Sequence, residues 1–297
     1  MKVIPKTEVI YTLSPKHKPA ERVEIGESIL LQTEDAFGGQ IRTEKDSIEK
    51  LDWSKVDGAT GPVYVEGAKP GDTLVVDILD VHTDNKGLIA TIPKSGILGY
   101  KPFKPATKVV QIRKGYVHFE KGIQLRTKPM IGTIGVTPKT ETPTGTLGRH
   151  GGNMDFKELT AGTRLYLPVL VKGALFAAGD LHAVQADGEL CVSAIETAGE
   201  TKVRLSLIKN KQPELPVLET EAQFSILACG DTLDEAARFA TEAAVQALLR
   251  EHGWTFEKAY MFASLAVNLQ INQVVDPKKG VRATISKDFI SLDSLLT

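Results

Sequence analysis

From about residue 22 to residue 210 the chain is a succession of short apolar stretches, broken by Gly, Pro and Asp every ten or so residues. Such spacing predicts many strands folded as a sandwich or barrel. Ile29-Leu30-Leu31-Gln32-Thr33 reads as one strand. Val63-Tyr64-Val65-Glu66-Gly67 leads through Pro70-Gly71-Asp72 into the run Thr73 to Val81, a strand-turn-strand pattern rich in β-branched residues. Gly162 to Val169 repeats that logic. Thr137 to Gly148, full of Thr, Pro and Gly, reads instead as an irregular loop.

The β pattern stops at residue 231. Asp231-Thr232-Leu233-Asp234-Glu235 offers a helix start in which Thr232 and Glu235 have capping-box spacing. The Ala-rich body that follows carries apolar residues three and four apart, and Gly253 stands where a C-terminal cap belongs. A second helix is expected over about 255–267, starting at Thr255, and a last strand over Val281 to Ser286, entered through Asp276-Pro277. The fold class that follows is mainly β with an α+β C-terminal part. Residues 1–210 form the sandwich or barrel-like domain and carry the site; residues 211–297 form a smaller α+β domain, with the seam at Lys209 to Pro216.

Composition narrows the ligand. The 297 residues hold 36 basic and 37 acidic side chains, so nothing favours nucleic acid or an anionic membrane surface. No run approaches the roughly 18 apolar residues of a membrane span, and Met1 to Lys6 lacks the apolar core of a secretion signal. The reading is a soluble cytoplasmic protein acting on a small molecule. Cys191 and Cys229 are the only cysteines, with no CxxC spacing, so a metal here would be held by His and carboxylates.

The richest segment is Gly179 to Glu189. In a strand, residues two apart share a face, so Asp180 and His182 project together and can reach one ion. Asp187-Gly188 has the residues of a two-residue type I′ hairpin. That turn sets His182 opposite Ser193, and Glu196 opposite Gly179 on the other face, joining the pair only if a bulge shifts the register. Three further segments carry polar groups beside glycines or turns: Asp35 before Gly38-Gly39, His150 with Asn153 and Asp155 around Gly151-Gly152, and Glu66 before Pro70-Gly71-Asp72.

These segments together resemble the acetamidase/formamidase family. The residues carrying the likeness are Asp35 to Gln40, Thr60 to Ala68, His150 to Asp155, and Gly179 to Ala183 with Asp187-Gly188-Glu189. The resemblance implies a β-sandwich-like fold with an appended α+β part, hydrolysis of short aliphatic amides such as formamide and acetamide to carboxylate and ammonia, and a homo-oligomer. Ala36 stands where a cysteine can follow the aspartate in some relatives, which excludes a cysteine nucleophile there.

The other routes to amide cleavage leave traces that this chain lacks. Cys191 and Cys229 lie in apolar runs as inert thiols, and there is neither a Gly/Ser-rich Ser–Lys tract nor a Gly-x-Ser-x-Gly elbow. Metal-activated water is then the expected mechanism. Asp35, Asp180, His182 and Glu196 would hold a divalent cation, zinc first and calcium as the alternative. Glu66 or Asp155 would carry the proton from water to the leaving nitrogen, and Asn153 would stabilise the oxyanion, with His150 beside it in the same loop. Two other readings stay open: a non-catalytic small-molecule binder with a structural cation, and a hydrolase of another C–N bond.

Overall fold

In the computed structural model, which describes residues 1–297, one nine-stranded sheet serves two hydrophobic cores, one on each face. The two-residue period of a strand produces this division. In strand Thr73–Thr83, Leu74, Val76 and Ile78 enter the larger core while Val75 enters the smaller; in Arg164–Pro168, Leu165 and Leu167 oppose Tyr166 in the same way. The larger core fills the space up to a second, eleven-stranded sheet, which contributes Val63, Val65, Ile131, Ile134, Phe176 and Leu181. The predicted sandwich is present.

The smaller core is covered by helices α1 (Leu233–His252) and α2 (Phe256–Ala266). Thr232 Oγ1 accepts the Glu235 N–H at 3.2 Å, and the Glu235 carboxylate accepts the Asp231 N–H at 2.8 Å. These bonds satisfy donors that a helix start otherwise leaves orphaned. Gly253, with φ 61°, closes α1 by donating its N–H to the Leu249 carbonyl at 2.9 Å. Ala236, Ala240, Ala244 and Ala247 are buried. Their small side chains let α1 lie close on strands Gln223–Gly230 and Lys279–Ser286. No helix is long and apolar enough to cross a membrane.

The nine-stranded sheet runs unbroken past the expected seam. Its order passes from Thr73–Thr83 through Arg164–Pro168 and Val217–Glu219 to Gln223–Gly230, Lys279–Ser286 and finally Val267–Gln273. The C-terminal strands thus extend a sheet of the sandwich, which brings their loops to its site.

The hairpin expected at Asp187-Gly188 does not form. His182, expected opposite Ser193, lies opposite Glu196, and the residues between strands Phe176–His182 and Glu196–Thr197 make a long excursion. Tertiary pairing overrides the local turn preference. Gly188 donates its N–H to the Asn272 carbonyl at 2.8 Å and accepts from the Val274 N–H at 3.1 Å, so the C-terminal strand captures the loop.

Candidate functional site

Strand Phe176–His182 is buried along its whole length, between Met130–Gly135 on one side and Ala59–Val65 with Glu196–Thr197 on the other. Phe176, Ala178 and Leu181 all enter the larger core. Regular alternation would send Asp180 there in place of Leu181. The backbone at Asp180 instead takes a left-handed φ of 57°, which breaks the alternation and lets the carboxylate join His182 on the opposite face. Such strain, about 1–3 kcal/mol, concentrates at functional sites. Gly132 stands opposite Asp180 in the ladder, and a Cβ there would lie 2.5 Å from Asp180 Oδ2 and 2.9 Å from Asp155 Oδ1. Glycine is what gives these two carboxylates room.

His182 has its tautomer set from behind. Gln185 Nε2 donates to the Asp155 carbonyl at 2.8 Å, which leaves Gln185 Oε1 to accept from His182 Nδ1, also at 2.8 Å. Nε2 then faces the cluster, 3.1 Å from Asp180 Oδ1 and 3.0 Å from Glu196 Oε2. A ring nitrogen fixed by a bond on its far side is how metal-binding histidines are oriented.

Around this imidazole stand Asp57, Asp155, Asp180, Glu189, Glu196 and Asp276, all lining one cavity of about 630 Å³. The ligand atoms of Asp155, Asp180 and His182 lie within 4.8 Å of one another, as do those of His182, Glu189 and Glu196, so either trio can hold a metal ion. Both oxygens of Asp155, Glu189 Oε2 and Glu196 Oε2 are buried without a hydrogen bond.

Burial and like charge dominate the electrostatics. Burial, then the Asp276 charge, pushes the Asp155 carboxyl well above the usual range. Burial, then Asp155, does the same to Glu189. Burial raises Glu196 to about 7, and burial with the Asp180 charge raises Asp57 to about 8. At His182, burial opposes the charged form, but Glu196 and Asp180 outweigh it and hold the imidazole well above its ordinary value. Asp180 is the exception among the acids. Burial pulls it up, yet the His182 charge and hydrogen bond prevail and keep it below the ordinary value.

The expected residues divide into two groups. Asp155, Asp180, His182 and Glu196 converge, and Asn153 lines the same cavity, donating from Nδ2 to Asp276 Oδ2 at 3.1 Å and accepting from Thr133 Oγ1 at 3.1 Å. Glu66 is elsewhere: strand Ala59–Val65 runs away from the cluster for about 20 Å, and at its far end Glu66 makes a surface pair with Arg22 at 3.0 Å. Asp35 does not reach the cluster. Its Oδ1 accepts the Gly39 N–H at 3.1 Å, and its side chain lines a separate small pocket behind Glu196. His150 is buried without lining the cavity, and burial pushes its imidazole down to about 4.

Three members of the cluster, Asp57, Glu189 and Asp276, were not foreseen as ligands. Asp57 precedes a glycine at a strand start, with φ 51°; Glu189 sat in the supposed hairpin; Asp276 looked like a strand entrance before proline. Both thiols lie outside the cavity and are pushed up by burial.

An imidazole among six carboxylates lining one cavity of a sandwich fold is a site for a small-molecule ligand with room for a metal ion. The chain belongs to the acetamidase/formamidase family, which it matches over residues 13–147 and 142–288. It is similar to a formamidase of Methylophilus methylotrophus, 29% identical over 287 residues, covering 73% of this chain and 70% of the relative. An acetamidase of Mycolicibacterium smegmatis is 27% identical over 264 residues, covering 66% and 64%. Among solved structures, an acetamidase from Bacillus halodurans superposes with a TM-score of 0.95 at 35% identity, covering 99% of both chains. A predicted acetamidase/formamidase from Thermoanaerobacter tengcongensis gives 0.94 at 37%, covering 99% of this chain and 97% of that one.

Proposed function

We propose that this enzyme hydrolyses linear amides to a carboxylate and ammonia, using water activated at the acid–imidazole cluster and a divalent cation held there. The observation that carries this reading is the placement of His182 Nε2 between Asp180 Oδ1 and Glu196 Oε2, its tautomer fixed by Gln185. Without an ion that nitrogen must carry a proton to face two carboxylate oxygens, in keeping with its raised value; a divalent cation would take the proton's place and would also partner the orphaned oxygens of Glu189 and Glu196.

The ligands would be Asp180, His182 and Glu196, completed by Glu189. Mixed nitrogen and oxygen donors favour zinc, whereas calcium prefers oxygens alone. Bound there, the ion supplies Lewis acidity toward the amide carbonyl and lowers the pKa of water. The chain supplies the proton traffic. Asp155, whose two oxygens are buried without a hydrogen bond, takes the proton of the attacking water and passes it to the nitrogen, which leaves only once protonated. Asn153 Nδ2 has a second hydrogen beyond the one given to Asp276, and it is offered to the carbonyl oxygen as negative charge develops.

The test is ammonia release from formamide and acetamide, measured on protein as purified, after chelation, and after zinc is returned. Release that is lost and then restored is expected. Release indifferent to the chelator rejects the role of the ion, and no release from any amide rejects the hydrolase reading. Asp155→Asn should lower kcat by about 10²–10⁴ with the metal retained; an unaltered kcat would remove Asp155 from the proton path.

The raised acids also set a pH dependence. Where a carboxyl is raised in the folded state, the fold binds more protons than the unfolded chain, so stability is fully present below the unfolded pKa and falls as pH rises through the folded one. For Glu196 that window runs from 4.5 to about 7. Chelated protein should therefore lose thermal stability from pH 5 to pH 8. Zinc-loaded protein should not, because deprotonated ligands bind the ion more tightly. A chelated protein that grows more stable over that range would contradict the crowding of these charges.

A further inference from the structure

The cavity is far larger than the amides after which the relatives are named. Acetamide has four non-hydrogen atoms and fills roughly 120 Å³, taking about 30 Å³ for each, the share of one water in the liquid. The cavity holds about 630 Å³. Volumes of about 300–1,000 Å³ are those that enclose ligands of many more atoms.

Besides the acids and His182, the cavity is lined by Phe37, Val56 and Ile92, which share one packed cluster and so form an apolar wall, with Trp53 also among the lining residues and half exposed. This wall is braced from behind. Phe37 is buried in a cluster with Ile41, Ile48, Leu51, Leu88 and Ala90, and Val56 and Ile92 pack against the same cluster, so the wall cannot collapse into the open space. A four-atom amide seated at the acids would leave it facing water. The six carboxylates in the cavity disfavour an acyl group with an anionic end.

We infer that the preferred substrates are primary amides with a neutral apolar acyl group of about six to ten non-hydrogen atoms, aryl or medium-chain alkyl, lying on this wall with the carboxamide at the acids. This rests on the amide-hydrolase reading and names the substrate class for the same site. Trp53 gains most from such a ligand, since its ring now faces solvent and an aryl or alkyl chain would cover it.

The test compares kcat/KM for acetamide, hexanamide and benzamide on the zinc-supplied enzyme, by ammonia release. Each methylene taken fully out of water is worth about fourfold, so the four added in hexanamide, half buried, should raise kcat/KM at least tenfold over acetamide. Benzamide should show a gain of similar size. Trp53→Ala, at a half-exposed position that does not endanger the fold, should raise KM for benzamide about fivefold more than for acetamide. If acetamide is turned over but kcat/KM falls steadily through hexanamide and benzamide, the inference is overturned and amide hydrolysis stands. If none of the three releases ammonia, the hydrolase reading falls and takes this inference with it.

Discussion

Asp180→Asn is expected to empty the site of metal and to lower kcat/KM by about 10³, the rate equivalent of several kcal/mol of lost charge stabilisation. Asp180 Oδ1 lies 3.1 Å from His182 Nε2, while Oδ2 lies 3.2 Å from Thr133 Oγ1, whose single hydrogen it shares with Asn153 Oδ1. It is the one acid of the cluster held below its ordinary value, and hence the one that keeps its charge whether or not an ion is bound. Asparagine has the same size and can still accept from Thr133, so the loss is of charge and not of shape. Metal content by atomic spectrometry, read beside ammonia release, checks the result. Full activity with the ion retained would reject Asp180 as a ligand; lost activity with the ion retained would give it a different role.

Arg282→Met carries the largest expected effect on stability. Arg282 is 1% exposed, yet one guanidinium reaches Asp187 Oδ1 at 2.9 Å, Asn272 Oδ1 at 2.7 Å and Glu158 Oε2 at 3.4 Å, and it stacks over Phe156. Each partner belongs to a segment that bears a member of the cluster. Phe156 and Glu158 follow Asp155, Asp187 precedes Glu189, and Asn272 leads to Asp276. Breaking a buried ion pair costs about 3–5 kcal/mol. Because Asp187 and Glu158 are 33% and 26% exposed, water recovers part of this, leaving about 3 kcal/mol and a fall in Tm of about 5–10 °C. Arg282→Lys should recover only part of it, since an ammonium lacks the planar fork that reaches three partners. Thermal unfolding of the three proteins decides. An unchanged Tm in Arg282→Met would show that the segments hold their places without this brace.

Much of the fold was legible because it depends on local rules. Alternation along Thr73–Thr83 marks its two faces, and the Thr232/Glu235 pair marks the start of α1. The i, i+2 relation brought Asp180 and His182 together correctly, although the observed cause is stranger. The strand alone would have buried Asp180 in the core, and a left-handed backbone that no residue pattern advertises turns it outward. Glu196 needed a register shift to join the pair, and the shift comes from a long loop where a bulge was expected, because Asp187-Gly188 is a good turn locally and a poor guide once the Val267–Gln273 strand and the residue after it compete for Gly188. Asp57 and Asp276 stand in connections, where position depends on what the whole chain does. Glu66 also stands beside a strand end, but at the end of Ala59–Val65 away from the cluster, where it pairs with Arg22.

The most direct test of the account is a crystal structure of zinc-loaded protein with an anomalous difference map at the zinc edge. The account predicts one strong peak about 2.0–2.2 Å from His182 Nε2 and from carboxylate oxygens of Asp180 and Glu196. A map with no peak among these residues, or with His182 Nε2 donating a proton to Asp180 in a metal-free cluster that still hydrolyses amides, would contradict it.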